Sequence, residues 1–303
     1  MKFNPTLCAL GAMALMATSC LSNEQKDQVQ TETFNSCISY TVDNTTGAVS
    51  AAKRTAITFE TNYSQYTMGA TVANLMLPGG INYPNAKFSG LKLTQNNTGW
   101  LIAEGSNVSP EVEGFSAELV PSFSNVRIAA LNHIASLDGQ SVIGYERAMR
   151  LNTADCTMYL TPSECWSTGY TDVEPTEGGE KYRSSKPIYL VGINPETQTA
   201  KITIHSAVFA PAMENLGLMI EFRDIPYTLT PNGAIVMARS EKFDPYHDNA
   251  PNAGFPISNL VCTWDIFSGI NISFTCEVRG GSAVGSYAVS ANLPFNYGAG
   301  TQQ

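Results

Sequence analysis

The sequence predicts an all-β fold: two tandem, similar antiparallel β modules, each a barrel or a sandwich, behind a signal peptide and a flexible tether. Three observations carry this. Apolar and polar residues alternate at period two in run after run. Clusters of Gly, Pro, Asn, Asp and Thr separate the runs at short intervals, as in "DNTTG", "LPGG", "QNNTG", "LDGQ", "NPETQ", "TPNG" and "RGGS". Blocks of the second half also repeat blocks of the first in the same order.

The first residues form a secretory signal. Lys2 supplies a positive start and 7–17 an apolar stretch of about eleven residues, too short for a span of roughly twenty. Small residues Ala17, Thr18 and Ser19 then precede Cys20. This stretch resembles the lipobox of bacterial lipoproteins, with Ala17 where Leu is commoner. The resemblance implies cleavage ahead of Cys20 and acylation of that cysteine, hence attachment to the membrane through an N-terminal lipid. Each buried acyl methylene contributes about 0.8 kcal/mol, so a multiply acylated terminus holds firmly. Ser22, rather than Asp, stands two residues on and favours the outer membrane. Segment 1–19 is thus read as signal peptide, and 20–35, "CLSNEQKDQVQTETFN", as a solvated tether.

Module 1 is expected over 36–152. "TAITFE" puts Ile57 and Phe59 on one face of a strand, and Trp100 falls in a strand of the core. "YERAMRL" (145–151) is the one stretch with a local helical reading. A connector is expected over 153–184, acidic and Gly-rich around "DVEPTEGGE", with Cys156 and Cys165 placed to staple it or to stay as thiols. Module 2 is expected over 185–296 and a tail over 297–303. It opens with a hairpin turning at Asn194-Pro195, and "AKITIH" and "INISFTCEV" alternate cleanly.

The internal similarity is strongest at the ends of the modules. Gly139, Val142, Tyr145 and Leu151 recur as Gly281, Val284, Tyr287 and Leu293, all at an offset of 142. "SNVRI" before the first block parallels "SGINI" before the second.

Five cysteines remain once Cys8 and Cys20 are set aside: Cys37, Cys156, Cys165, Cys262 and Cys276. The odd number leaves at least one without an intramolecular partner. The run 259–278 reads as a hairpin turning at Ser268-Gly269, which pairs Leu260 with Val278, Cys262 with Cys276, Trp264 with Phe274 and Ile266 with Ile272. Every pair is apolar, so this register buries one coherent face. A Cys262–Cys276 bridge and two buried thiols both remain open, because directly opposed β-carbons sit wider than a disulfide prefers.

The chain carries a net charge of −9, and removal of the signal takes away one base and no acid. With no basic run, nucleic acid is excluded as a partner. No nucleophile elbow, phosphate loop or zinc-ligand spacing is present, and no metal or cofactor is expected. The loop "FDPYHDNAPNAGFP" (243–256) gathers acids and His247 but lacks the ligand order of a calcium loop. His133 and His205 read as bystanders, and Glu164 with Glu174 is the pair to nominate for a carbohydrate-active hydrolase. A non-enzymatic role is the expectation. Trp166, Tyr170, Tyr246 and Phe255 are the aromatic residues that could face a ligand, while Trp264 reads as core.

With its lipobox, polar tether and tandem β modules, the chain resembles the envelope lipoproteins of Bacteroidetes-type bacteria that carry lipocalin-like (calycin-like) or sandwich β-domains. The resemblance implies a binding or structural module that takes a small ligand, a glycan or a protein. A rival reading is a fimbrial subunit matured from a lipoprotein precursor and assembled by strand exchange. Lys53-Arg54 stands ahead of a strand, as cleavage in such proteins would require, and the final "NLPFNYGAGTQQ" could serve as the donor.

Overall fold

The computed structural model describes residues 29–78, 80–95, 101–137, 140–280 and 284–295, with backbone alone at 95 and 131–146. Cys20, Trp100 and the tail from 296 lie outside the described residues, as does the His133 side chain. The described residues form twenty strands and two short 3-10 turns, at Ala117–Leu119 and Pro211–Met213. The two tandem β modules are present.

The first module is a closed barrel of eight antiparallel strands in chain order: β1 (Val29–Asp43), β2 (Lys53–Asn62), β3 (Thr67–Met76), β4 (Asn82–Gln95), β5 (Leu101–Val108), β6 (Phe123–Leu137), β7 (Gln140–Asn152) and β8 (Cys156–Pro162). Eight strands make an interior that side chains can just fill. Here Ile57, Phe59, Val72, Phe88, Phe123, Ile128 and Met149 fill it, all nearly or fully shielded from solvent.

The second module is one curled sheet. Its meander runs β12 (Ile188–Asn194), β13 (Thr199–His205), β14 (Ile220–Leu229), β15 (Ala234–Arg239), β18 (Ile257–Asp265), β19 (Gly269–Val278) and β20 (Gly285–Pro294). A small ribbon, β16 (Tyr246–His247) with β17 (Ala250–Pro251), hangs from β14. At the outer ends stand β9 (Glu164–Thr168), paired with β12, and β10 (Tyr170–Pro175), paired with β20 and with β11 (Tyr182–Ser184). Only Gly169 separates β9 from β10, so the two ends of the sheet meet there. A β-carbon at Gly169 would stand 2.8 Å from Leu293 Cδ2, which is how closely the ends approach.

This arrangement corrects the expected domain bounds. The barrel begins at Val29, inside the predicted tether, and the predicted connector holds β8 through β11. Residues 156–175 run almost unbroken: β8 closes the barrel between β1 and β7, Ser163 passes the chain across, and β9–β10 joins the ends of the second sheet. Ser163 is pinned from both sides, its N–H donating to Ser36 O and its carbonyl accepting from Ile193 N. Every residue of β8 is buried, because one face lines the barrel and the other meets the second module. A strand buried on both faces has no alternation to display. The start of β1 was hidden for another reason. Glu32 shares the face of the interior residue Phe59 and pairs with the buried Arg147 (Nε–Oε2 3.1 Å), a charged pair where the pattern would place apolar residues.

The modules share one core. Ile38, Tyr40, Val42, Ala129, Ala148 and Tyr159 on the barrel's outer wall pack into the apolar cluster of the second sheet. The Tyr40 and Tyr159 rings meet at 5.3 Å, tilted by 30°, and the Tyr159 hydroxyl donates to Pro231 O at 3.1 Å. Arg54 reaches Glu196 across the boundary at 2.7 Å.

Two further expectations change, and the choice left open for the cysteines falls to free thiols. "YERAMRL" lies in strand β7, not in a helix. The five cysteines are all buried free thiols, so neither Cys262 with Cys276 nor Cys156 with Cys165 forms a bridge. In the β18–β19 hairpin Cys262 faces Ile272 and Trp264 faces Ile270, four residues away from the predicted register, and beyond a bulge Ile257 faces Cys276. An even slip keeps every side chain on its face, so alternation alone could not exclude it. The turn is fixed instead by Asp265, whose Oδ1 accepts from Phe267 N (2.9 Å) and Ser268 N (3.0 Å). Burial pushes the Cys262 thiol up to about 12. Cys156 sits in the barrel and Cys165 in the second sheet, each tied to different neighbours.

Within the similar blocks, Val126 pairs with Leu151 in the β6–β7 hairpin and Ile270 pairs with Leu293 in the β19–β20 hairpin.

Candidate functional site

The second sheet forks. β14 carries a bulge in which Arg223 and Asp224 together stand opposite Lys201, since Ala200 faces Ile225 and Ile202 faces Phe222. Asp224 adopts φ +55°, a left-handed conformation that Asp tolerates better than most residues. Bulges bend a strand and re-aim its side chains. Beyond it β14 pairs with β15 only from Tyr227 to Leu229, leaving Ala238 and Arg239 without a β14 partner. Into the opening comes the segment after β15. Phe243 is held by both its N–H and its carbonyl to Ile257 (2.9 and 2.8 Å), and Tyr246 bridges to Glu221. The result is a cleft of about 520 Å³ lined by Arg223, Asp224, Arg239, Lys242, Phe243, Asp244 and Tyr246.

Two arginine–aromatic pairs form its walls: Arg223 lies 4.3 Å over the Tyr246 ring and Arg239 lies 4.4 Å over the Phe243 ring. Their surroundings differ. Arg223 is neutralised, donating to Glu221 Oε2 (Nε 2.7 Å) and to Asn249 Oδ1 (2.8 Å), and Glu221 also holds Lys201. Lys242 pairs with Glu277. Arg239 has no hydrogen-bond acceptor and no carboxylate partner among the described residues, and Asp224 and Asp244 are in no ion pair. An acidic protein thus keeps one uncommitted cation and two uncommitted carboxylates on a single cleft.

Burial pushes the Glu221 carboxyl up, but hydrogen bonds and charge from Lys201 and Arg223 outweigh this and hold it below the ordinary 4.5. A carboxyl lowered in the folded state contributes stability above its unfolded value, and that contribution disappears as pH falls through the folded value. Glu221→Gln is therefore expected to cost about 1–2 kcal/mol at neutral pH, since the lysine partner is solvated. It also flattens the loss of stability below about pH 4.5, as denaturant unfolding across pH would show. An acid limb identical to the parent's would rule this coupling out.

The four aromatic residues singled out from the sequence lie in different places. Tyr246 lines the cleft. Phe255 instead packs on the core, edge-on to Phe209 at 6.4 Å. Trp166 stacks on His205 at 5.8 Å. Tyr170 is exposed on β10 beneath Arg183, whose guanidinium lies 5.3 Å from its ring. Tyr170 ends a cross-strand row, Thr263–Asn271–Asn292–Tyr170, whose first three residues line a shallow groove of about 270 Å³. Trp264 is core, as expected. His247 donates from Nδ1 to Met219 O (2.9 Å). Among the described residues no group of three His, Cys, Asp or Glu is clustered for a metal. Glu164 and Glu174 sit at opposite ends of the β9–β10 ribbon, beside Gly192 and Ala288.

Sequence reading missed Arg223, Arg239 and Lys242. They come from two strands and a loop, and no motif joins them. The one signal was the aromatic and acidic run beginning at Phe243, whose cationic neighbours only the fork brings near.

No family model matches the chain, and no curated protein matches it significantly. Solved structures with partial likeness include a Bacteroides fragilis NCTC 9343 protein assigned by inference to the outer membrane. It is 10% identical with a TM-score of 0.32, and the match covers 89% of this chain and 98% of that one. Others are transferrin binding protein B from Haemophilus parasuis Hp5 (8% identical, TM-score 0.19, covering 89% and 77%) and intact Ap-TbpB with its N and C lobes (8%, 0.18, 88% and 77%). At these scores the likeness does not establish a shared fold.

Proposed function

We propose that the chain is a lipid-anchored, non-enzymatic protein of the bacterial cell envelope that binds a ligand on the outside of its second module. The observation that carries the site is the contrast between the barrel and the fork. Fully buried side chains such as Phe88 and Phe123 occupy the barrel interior, whereas the fork cleft is open and lined by uncommitted charge. Binding inside the barrel, as in a lipocalin, would need room those side chains take. The anchor rests on the lipobox-like residues before Cys20.

The rival fimbrial reading keeps one supporting observation. Lys53 and Arg54 are the first two residues of β2 rather than ahead of it, and cleavage after Arg54 would remove β1, which lies between β2 and β8, and open a groove. The mature amino terminus separates the two readings. Mass spectrometry of the protein from its native membrane is expected to show acylated Cys20 at the start, with palmitate label lost in Cys20→Ala. A mature chain beginning at Thr55 and free of lipid would replace this reading with the fimbrial one.

A further inference from the structure

We propose that the fork cleft binds a sugar bearing a carboxylate, with Arg239 gripping the carboxylate and Asp224 and Asp244 accepting sugar hydroxyls. The inference rests on the reading of this cleft as the binding site and names its ligand class. Among the described residues Arg54, Arg127, Arg147, Arg183, Arg223 and Arg279 each hold a carboxylate, while Arg150, which holds none, does not line the cleft. Arg239 holds none, although Asp224 and Asp244 line the same cleft. Opposite charges on one cavity normally close on each other. Here the backbone keeps them apart: Asp224 is fixed by its bulge at φ +55°, and Asp244 follows Phe243, which is clamped to Ile257. The Arg239 guanidinium in turn rests on the Phe243 ring. A planar, pre-positioned guanidinium with no acceptor suits bidentate capture of a carboxylate.

The other charges narrow the choice. Two unneutralised carboxylates repel a compact dianion such as phosphate but accept hydroxyl donors. A neutral sugar would leave Arg239 unanswered. A volume of about 520 Å³ is in the range that houses a whole small molecule rather than one ion.

The test is titration calorimetry on the full chain in detergent with glucuronate, glucose, inorganic phosphate and alanine as probes. Saturable glucuronate binding is expected, at least about tenfold tighter than glucose, as one charge-assisted bidentate contact supplies. Arg239→Gln should weaken glucuronate by about tenfold or more, and Arg239→Lys, which keeps charge without the fork, should weaken it less. Asp224→Asn with Asp244→Asn should weaken glucuronate while improving phosphate. Equal binding of glucose, phosphate displacing glucuronate at equal concentration, alanine doing the same, or no glucuronate binding would each overturn the assignment. Any of these results in a chain that still carries its lipid on Cys20 defeats the ligand class alone and leaves the envelope reading standing.

Discussion

Phe222→Ala is expected to lower the unfolding free energy by about 3–5 kcal/mol, the cost of emptying a large aromatic site in a packed core. Phe222 is fully buried on β14, one residue before the bulge. Its ring meets Phe274 at 5.2 Å and Phe243 at 5.7 Å, both edge-on, with Phe209 at 6.4 Å. Each such pair adds about 0.5–1.5 kcal/mol beyond the area it buries. The effect should reach the cleft, because Phe243 is the surface on which Arg239 rests. Phe222→Leu, which refills part of the space, is expected to recover roughly half of the loss. Denaturant unfolding measures both variants, and a loss under about 1 kcal/mol for the alanine variant would mean that this cluster does not hold the fork.

Gly269→Ala should cost about 3 kcal/mol or more, from two effects at one position. Gly269 has φ +138°, and a β-carbon there would lie 2.3 Å from Leu293 O and 2.8 Å from Pro294 Cα. Both contacts are with the β20 backbone and cannot be relieved by a rotamer change. The turn cannot drift aside either, since Asp265 caps it and Ser268 O accepts from Phe295 N at 2.9 Å. Two other glycines separate the causes. Gly47 has φ +72° with nothing within 4 Å, so Gly47→Ala should show strain alone, about 1–2 kcal/mol. Gly280 has open space and no such φ, so Gly280→Ala should fall within about 0.5 kcal/mol of the parent. If Gly269→Ala were no worse than Gly47→Ala, the close approach of β19 to β20 would be incorrect.

Much of the architecture was readable residue by residue. Ile57 and Phe59 in β2, Ile202 and Ile204 in β13, and Ile270, Ile272 and Phe274 in β19 are buried as their alternation requires. The hairpin at Asn194 also turns where expected, with Asn194 facing Thr199. The expectation failed where a strand had no water-facing side, as in β8, or where an interior position was charged, as at Glu32. The four-residue error in the β18–β19 register came from treating apolar matching as sufficient, when a bulge between Ser258 and Val261 and the Asp265 cap set the pairing.

Local chemistry alone therefore settled the class of fold, the faces of most strands and the place of several turns. A side chain's preference for core or water is written at period two in its own strand, whatever that strand pairs with. Register, the closing ribbon 156–175 and the cleft were decided only in three dimensions. Pairing partners, bulges and the fork between β14 and β15 depend on backbone bonds between distant segments, and those bonds leave no period in the sequence. Arg223, Arg239 and Lys242 belong to one cleft because the sheet opens where they stand.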